Sequence, residues 1–333
     1  MKVGLDSLHS GKKRVNLQAM KKLKILLCVM LLLLASCGER KKVARPAGKD
    51  LAFPQLSIPA AYTDSDDRLA YAVNHYWDDF FKGDGRTDSA RVLGVPKPQV
   101  EQGLANYIAI LESVPLNQAQ DGMSHLFDQL AAKQRADTSN RVYLAITEMV
   151  ARYLYDPNSP LRDEDFYLPF VQKMAESELT REDMRTACRY ESQMCAMNPR
   201  GSIAPDFSIT LRNGTHVRMH SVKAERTLLF FSNPGCHNCL EIIETLNSDA
   251  NVKRLIAEGR LAVLNIYIDE DLKAWRDYMP VYPKEWLNGY DTSHIIREDI
   301  LYCIRAIPSL YLLDADKRVL LKDPPVERIL QAL

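Results

Sequence analysis

One stretch decides the fold of the C-terminal part of the chain: Leu228-Leu229-Phe230-Phe231-Ser232-Asn233-Pro234-Gly235-Cys236-His237-Asn238-Cys239. Its first four residues are apolar and predict a short buried strand, and Leu240 and Ile243 beyond it recur at helical spacing. The two cysteines therefore stand where a strand ends and a helix begins. Free N–H groups and the positive end of the helix dipole stabilise a thiolate at such a first turn.

Cys236 and Cys239 are predicted to form a redox-active dithiol. Cys236 lies at the first helical turn and is the expected nucleophile, whereas Cys239, one turn on, lies within reach to resolve a mixed disulfide. Pro234, His237 and Asn238 are the neighbours of this pair, and a protonated His237 would favour the thiolate further. The exchange passes electrons between sulfur atoms, so we expect no organic cofactor and no metal.

The segments on either side predict the rest of an α/β domain over residues 199–333. Asn213-Gly214 is typical of a hairpin turn, and residues 261–268 are apolar enough for a parallel strand buried on both faces. Residues 286–291 fall in a long insertion and are expected to form a rim beside Cys236 or a cap on the sheet. The other predicted elements are the strands 207–211, 217–219, 309–313 and 318–321 and the closing helix 326–333.

The order of these elements resembles the thioredoxin superfamily. Ala306-Ile307-Pro308-Ser309 lies just before a strand, like the cis-proline segment of that superfamily, and Ala204-Pro205-Asp206-Phe207 is similar to membrane-tethered thioredoxins of the TlpA and ResA type. The resemblance covers residues 201–333 and implies a central mixed sheet flanked by helices and a thiol–disulfide oxidoreductase activity. It also implies a substrate-binding surface at Ile307 and Pro308, where an extended peptide can pair with the backbone.

Two positions depart from the pattern of that family. Gly235 stands where a Trp commonly precedes the first cysteine, and Phe230 stands where thioredoxins place a buried Asp that handles the proton of the resolving thiol. Glu241 and Glu244 on the following helix are alternative candidates for the proton relay. Acidic residues near a helix start are equally well explained by the helix dipole.

Residues 66–198 carry helical periodicity, and we recognise no strand-like alternation in them. The last two helices of this region are predicted over residues 162–176 and 180–196. Four aromatic residues close together are assigned to the core rather than to a ligand groove: Tyr76, Trp77, Phe80 and Phe81.

The same region resembles a helical domain of unknown function, DUF5106, that precedes thioredoxin domains in Bacteroides-group lipoproteins. The residues that carry this resemblance are Tyr153-Leu154-Tyr155-Asp156 and Asn158-Ser159-Pro160. It implies an all-α domain in front of the thioredoxin-like one, and no biochemical activity of its own.

The N-terminus has the parts of a secretory signal, three lysines at 21, 22 and 24 followed by the apolar run 25–34. About twelve residues span about 18 Å as a helix, well short of a hydrocarbon core of about 30 Å, so no membrane-spanning helix is predicted here. Leu34-Ala35-Ser36-Cys37 resembles a bacterial lipobox, which implies that Cys37 is lipidated and becomes the new N-terminus. The alternative is an ordinary signal peptide with an incidental cysteine.

We therefore divide the chain into a signal peptide over 1–37, with Met20 as an alternative start, a tether over 38–65, a helical domain over 66–198 and a thioredoxin-like domain over 199–333. The tether begins with mostly basic residues, which by resemblance favours a lipid-anchored, periplasm-facing protein of the cell envelope, on either membrane. Its expected partners are protein thiols and disulfides there. Lys+Arg and Asp+Glu are balanced at 43 each, so composition predicts no nucleic-acid partner.

The Cys-x-x-Cys pair has other interpretations. A zinc site needs a second Cys-x-x-Cys or a His pair at ligand spacing, which the sequence lacks. A peroxidase nucleophile follows a Thr by three residues, and Asn233 stands at that position. The pair is alternatively a structural disulfide in a binding or assembly lipoprotein, whose helical domain acts on an inactive thioredoxin scaffold.

Three cysteines of the two predicted domains lie outside the motif. Cys188 and Cys195 would have Cα atoms about 10 Å apart on a continuous helix, too far for a disulfide. A disulfide between them requires the helix to end between the two positions; otherwise they are reduced core cysteines or a second redox pair. For Cys303, a buried packing role is favoured over an approach to the active site.

Overall fold

The computed structural model describes residues 50–333. The predicted signal peptide, Cys37 and residues 38–49 of the predicted tether lie outside these residues. The described end of the tether is attached to the helical region: the Leu51 amide donates to the Gly94 carbonyl at 3.0 Å, and the Phe53 ring stacks on Phe80 with centroids 5.4 Å apart. No helix within residues 50–333 is long and apolar enough to cross a membrane.

Helices dominate residues 50–195, and side chains cap several of them. Asp64 accepts hydrogen bonds from the amides of Asp66 and Asp67 at the start of the first helix. Such a cap satisfies N–H groups that have no partner inside the helix. The helices are α1 (Ser65–His75), α2 (Asp78–Lys82), α3 (Lys97–Leu111), α4 (Leu116–Ala136), α5 (Val142–Leu154), α6 (Glu164–Glu176) and α7 (Glu182–Cys195). The last two confirm the predicted helices over 162–176 and 180–196.

The aromatic residues between α1 and α2 lie in the core of the helical region, as predicted. Trp77 and Phe80 are each 2% exposed and Phe81 is 8% exposed. Tyr76 packs against the same core and stacks on Tyr107, with ring centroids 5.3 Å apart. These side chains are therefore used for packing between helices.

Pro169 lies inside α6, where a proline removes one helix hydrogen bond. The carbonyl that loses this partner belongs to Asp165, and the side-chain amide of Gln120 on α4 donates to it at 3.0 Å. The missing backbone bond is thus replaced across the contact between two helices. At the start of α6, Asp163 accepts from the Phe166 amide at 3.1 Å and caps the helix.

A short hairpin interrupts the helices, in a region where the sequence predicts no strand. Its strands β1 (Arg91–Val92) and β2 (Val95–Pro96) are antiparallel, and the turn residues Leu93 and Gly94 both have positive φ. Leu93 is 1% exposed, so burial of its side chain holds it in a conformation that leucine rarely adopts. Strands of two residues are also too short to leave an alternating pattern in the sequence.

The C-terminal region contains a seven-stranded mixed sheet, as predicted for a thioredoxin-like domain. The strands are β3 (Ser208–Leu211), β4 (His216–Arg218), β5 (Arg226–Phe231), β6 (Leu261–Tyr267), β7 (Leu287–Tyr290), β8 (Ser309–Leu313) and β9 (Val319–Lys322). Their order in space is β4-β3-β7-β6-β5-β8-β9. Strands β5, β6 and β7 are parallel, whereas β3–β4 and β8–β9 are antiparallel hairpins, which confirms the predicted hairpins and the buried parallel strand.

Helices cover both faces of this sheet. Alternate side chains of β5 point to opposite faces: Leu228 and Phe230 share a core with Cys239, and Leu229 and Phe231 belong to a second core on the other side. A central strand buried on both faces carries a continuous apolar run, as the last four residues of β5 do. The helices are α8 (His237–Ser248), α9 (Ala250–Ala257), α10 (Leu272–Tyr278), α11 (Ile295–Glu298) and α12 (Val326–Ala332).

The strand β7 replaces the rim or cap that the sequence predicts for residues 286–291. It lies between β6 and β3 in the sheet. Its Asn-Gly pair has the composition of a turn, but a Cβ on Gly289 would lie 3.1 Å from the Thr210 carbonyl oxygen of β3. Close approach of two strands, and not a turn, therefore requires glycine here. Trp286, just before the strand, is 5% exposed and belongs to the core.

Candidate active site

The predicted reactive pair lies where the tight loop after β5 leads into α8. Gly235 has a φ of 73° and no atom within 4 Å of the position of a Cβ, so backbone conformation favours glycine before the first cysteine. Cys236 is the N-cap of α8, and its Sγ accepts a hydrogen bond from the Cys239 amide at 3.2 Å. Sulfur thus occupies the place where a Ser or Asp oxygen usually caps a helix, at the positive end of the helix dipole.

Cys236 and Cys239 are joined by a disulfide, with Cα atoms 5.2 Å apart. Their exposure differs, because Cys239 is 1% exposed among core residues of α8 while Cys236 is partly exposed. Of the two cysteines, Cys236 is therefore the one in contact with solvent. This asymmetry is what a nucleophile and a resolving thiol require, and the roles themselves remain predictions.

The predicted neighbours of the pair lie toward solvent. His237 has a side chain 81% exposed, and its Nε2 lies 3.2 Å from the Glu241 carboxylate one turn further on. Asn238 is exposed and Pro234 is partly exposed. Glu244 is exposed as well, so both candidates for a proton relay face solvent, whereas Cys239 faces the core.

The predicted substrate-binding residues reach the same edge of the sheet from β8. Phe231, the last residue of β5, pairs with Ser309, the first of β8, so Pro308 lies opposite the start of the cysteine loop. The peptide bond between Ile307 and Pro308 is cis, as the resemblance implies. Ile307 packs against the apolar core that Cys236 also contacts. The two pairs of predicted site residues therefore lie at one edge, which we call the cysteine edge.

Neutral polar side chains are buried near the position where thioredoxins place an acid. Asn265 of β6 pairs in register with Phe230, accepts a hydrogen bond from the Ser232 hydroxyl and donates to Asn288 Oδ1 at 3.0 Å. Burial raises the pKa of the neighbouring Tyr282 hydroxyl to about 12. Amides and such a hydroxyl do not exchange protons near neutral pH. This group of buried side chains therefore supplies hydrogen bonds and does not replace the acid in proton transfer. Sequence reasoning missed it because its members come from separate strands and loops.

A carboxylate connects the cysteine loop to the neighbouring loop. Asn233 Nδ2 donates to Asp269 Oδ2 at 2.7 Å, and Arg297 Nη1 donates to Asp269 Oδ1 at 3.1 Å. Glu270 accepts from the same guanidinium at 2.7 Å. The residue three positions before Cys236 is thereby tied to the loop after β6 and to α11.

A second group of polar residues is buried where the helical and sheet regions meet. Glu164, with its side chain 1% exposed, pairs with the Arg305 guanidinium and with Lys322 Nζ at 2.7 Å. Lys322 is fully buried and also donates to the carbonyls of Cys195 at 2.8 Å and Met197 at 2.6 Å. Both oxygens of the Glu164 carboxylate thus have a cationic partner, as a buried charge requires.

Three aspartates extend this group. Arg200 bonds Asp165 at 2.7 Å and Asp163 at 2.8 Å, and Arg305 donates to Asp323 at 3.2 Å. Burial raises the pKa of Asp323 to about 6, and burial also raises the pKa of Asp165. The contacts join the start of α6 to β9 and to the segment before β8. We call the group the ion-pair cluster; its members are Asp163, Glu164, Asp165, Arg200, Arg305, Lys322 and Asp323.

The other described cysteines are buried and free. Cys188 and Cys195 both lie on the continuous helix α7, so of the alternatives that the sequence leaves open, a disulfide between them does not form. The Sγ of Cys303 lies 3.8 Å from Glu164 in the ion-pair cluster, in agreement with the packing role favoured for it. Burial raises the pKa of Cys188 to about 11 and that of Cys303 to about 12, so both stay as thiols at neutral pH.

The family model described as a domain of unknown function, DUF5106, matches residues 17–197. Among solved structures, the chain is similar to a thioredoxin-like protein from Bacteroides caccae. The two are 36% identical over 85% of this chain and 98% of that chain, with a TM-score of 0.70. The match spans both the helical and the sheet region. No curated protein matches the chain.

Two further structures match part of the chain. The C-terminal domain of an uncharacterized protein from Bacteroides fragilis is 44% identical over 41% of this chain and 97% of that chain, with a TM-score of 0.40. A domain of a "possible thiol-disulfide isomerase" from Cytophaga hutchinsonii is 25% identical over 41% of this chain and 92% of that chain, with a TM-score of 0.34.

Proposed function

The chain belongs to the DUF5106 family and carries a thioredoxin-like domain after the helical one, and from this we propose that it is a thiol–disulfide oxidoreductase. In this proposal Cys236 and Cys239 exchange electrons with cysteines of other proteins. The observation that carries it is the disulfide at the N-terminus of α8, with one sulfur accessible and the other buried. The likeness to a thioredoxin-like protein over both regions supports it.

Thiol–disulfide exchange at this pair can run in either direction, and in both directions the atoms and electrons balance. To reduce a substrate, the Cys236 thiolate attacks one sulfur of the substrate disulfide, and the other sulfur leaves as a thiolate. Cys239 then attacks the sulfur of Cys236 and releases the second substrate sulfur, so that two electrons have passed to the substrate. To oxidise a substrate dithiol, the same steps run backwards. The direction follows the difference in reduction potential, where about 30 mV corresponds to about 1.4 kcal/mol.

The remaining parts of the cysteine edge have supporting roles in this proposal. Ile307 and Pro308 present backbone to the substrate chain, which pairs with it as a short extended strand. The dipole of α8 and the Cys239 amide at 3.2 Å stabilise the Cys236 thiolate. Neither step uses a buried carboxylate.

We further propose that lipid on Cys37 anchors the protein in the cell envelope, facing the periplasm, where its substrates are envelope proteins. The lipobox-like Leu34-Ala35-Ser36-Cys37 after a short apolar run supports this. Replacing Cys37 with Ser should prevent incorporation of labelled fatty acid. Unchanged labelling of that variant would contradict the anchor.

The first experiment is a redox titration of the full chain in buffers of oxidised and reduced dithiothreitol, with alkylated cysteines counted by mass. We expect one two-electron transition that is absent in Cys236→Ala. Cys188→Ala is the matched control, because it removes a free cysteine and leaves the transition in place. If no couple depends on Cys236, the alternative of a binding or assembly protein on an inactive thioredoxin scaffold is favoured instead.

A further inference from the structure

An apolar groove of about 340 Å³ runs from the cis-proline segment to helix α7 of the helical region. Its lining includes the buried Ile268 and Ile296, which are 6% and 1% exposed, and Ile307. The most exposed apolar members are Tyr190 of α7 and Ile300, at 60% and 46%. Both regions of the molecule therefore contribute to one apolar surface.

This groove is continuous with the cysteine edge. Ile307, which lines it, immediately precedes the cis-proline opposite the cysteine loop. Arg297, which also lines it, is joined through Asp269 to Asn233, three residues before Cys236. A polypeptide whose sulfur reaches Cys236 thus has its flanking residues at the mouth of the groove.

The charged side chains of the lining are already paired within the protein. Arg297 is bound by two carboxylates, those of Asp269 and Glu270. Arg305 is held in the ion-pair cluster by Glu164 and Asp323. An occupant therefore meets apolar side chains and two neutralised cations, a surface that suits uncharged apolar residues.

We propose that this groove docks apolar residues that flank the reactive cysteine of a polypeptide substrate, so that the helical domain takes part in substrate choice. The inference rests on the proposed oxidoreductase function and names its substrate class. The volume lies within the range of about 300–1,000 Å³ for ligand pockets. The exposed Tyr190 and Ile300 lose their contact with water when an apolar chain covers them, which is the driving force for docking.

The test uses the reduced full chain and two peptides of equal length, each with one cysteine in a mixed disulfide with thionitrobenzoate. One peptide has Leu and Phe beside its cysteine, and the other has Ser and Asn. Attack of Cys236 on the peptide sulfur releases the coloured thionitrobenzoate, and Cys239 then displaces the peptide as a thiol. The same disulfide made with 2-mercaptoethanol measures the sulfur chemistry without a peptide chain.

We expect the apolar peptide to react about ten-fold faster than the polar one, the effect of one or two well-packed contacts. Tyr190→Asp and Ile300→Asp should remove this preference and leave the 2-mercaptoethanol disulfide unaffected. Both residues are exposed, so neither change disturbs a packed core. Leu144→Asp is the matched control, because Leu144 is 53% exposed on α5 and lies outside the groove.

The outcomes separate this inference from the proposed function. Equal rates for the two peptides, or the same loss in Leu144→Asp as in Ile300→Asp, would overturn the docking groove. No reaction with the 2-mercaptoethanol disulfide would overturn the oxidoreductase function itself. If sedimentation shows a dimer that Ile300→Asp converts to a monomer, a second copy of the chain occupies the groove, which also overturns the inference.

Discussion

The cysteine edge and the ion-pair cluster are built on opposite physical principles. At the cysteine edge, Cys236 is partly exposed at a helix N-terminus, and the buried polar side chains nearby are the amides of Asn265 and Asn288 and the hydroxyl of Ser232. In the ion-pair cluster, the side chains of Glu164 and Lys322 are 1% and 0% exposed and are paired with each other. The first region presents to solvent the cysteine that we propose to be reactive, and the second removes charges from water.

This difference shows that buried charge and reactivity are separated in this protein. Carboxyl groups with pKa values shifted by burial often mark catalytic sites, but here they lie at the junction of two regions. Sulfur chemistry at a helix start draws on the backbone dipole, so it needs no buried acid for the nucleophile. In the ion-pair cluster, Glu164 and Asp323 instead bind Arg305, whose side chain lines the apolar groove.

Breaking the ion-pair cluster should have the largest effect on stability. Glu164→Gln leaves Lys322 buried without its anionic partner, and such a loss typically costs about 3–5 kcal/mol in the free energy of unfolding. Urea unfolding measures this cost. Exchange with the 2-mercaptoethanol disulfide should be unchanged, since the cluster takes no part in the sulfur chemistry.

Glu178→Gln is the control for that variant. Glu178 pairs with Arg135 at 3.5 Å on the surface, with side chains 78% and 54% exposed. Exposed pairs contribute little, so the free energy of unfolding should change by less than about 0.5 kcal/mol. A cost for Glu164→Gln no larger than this would mean that the cluster does not hold the two regions together.

Asp323 should make stability depend on pH. Burial raises its pKa from 3.8 to about 6 in the folded protein. A carboxyl with a raised folded-state pKa contributes stability below its unfolded pKa, and this is lost as the pH rises through the folded pKa. As the pH rises from about 4 to about 7, the free energy of unfolding of the wild type should fall by up to about 3 kcal/mol relative to that of Asp323→Asn.

Urea unfolding of both proteins over this pH range measures the change. The comparison of two proteins cancels the contributions of all other titrating groups that they share. A difference in unfolding free energy that stays constant with pH would show that Asp323 ionises in the folded protein as it does in the unfolded one.

The smallest expected effect concerns the loop at the cysteine edge. Gly235→Ala forces alanine to a φ of 73°, which costs about 1 kcal/mol of stability. Gly259→Ala is the matched control, since Gly259 has a φ of 69°, equally open space around it, and a place between α9 and β6. Both variants should lose similar stability, but only Gly235→Ala should slow disulfide exchange. Equal exchange rates in the two variants would show that the loop conformation is unimportant.

Much of the sheet could be predicted because its signals are local. A few neighbouring residues are enough to recognise the apolar run of β5, the Asn213-Gly214 turn and the strand β6. The strand β7 was not predicted, because its Asn-Gly pair is typical of a turn but here allows two strands to pack closely. The β1–β2 hairpin was also not predicted, because its turn contains a leucine, Leu93, that tertiary burial holds at a positive φ.

The position of Cys236 and Cys239 at a strand–helix junction could be predicted from the sequence, because apolar runs and helical spacing are properties of neighbouring residues. The sequence also predicted the cis-proline segment, through resemblance. The contact between Glu164 and Lys322, and the groove that Tyr190 and Ile307 line together, became visible only in the three-dimensional structure. The residues in each of these contacts come from segments far apart in the chain. Local sequence does not show which distant segments pack together, and this packing is what removes charged and apolar side chains from water.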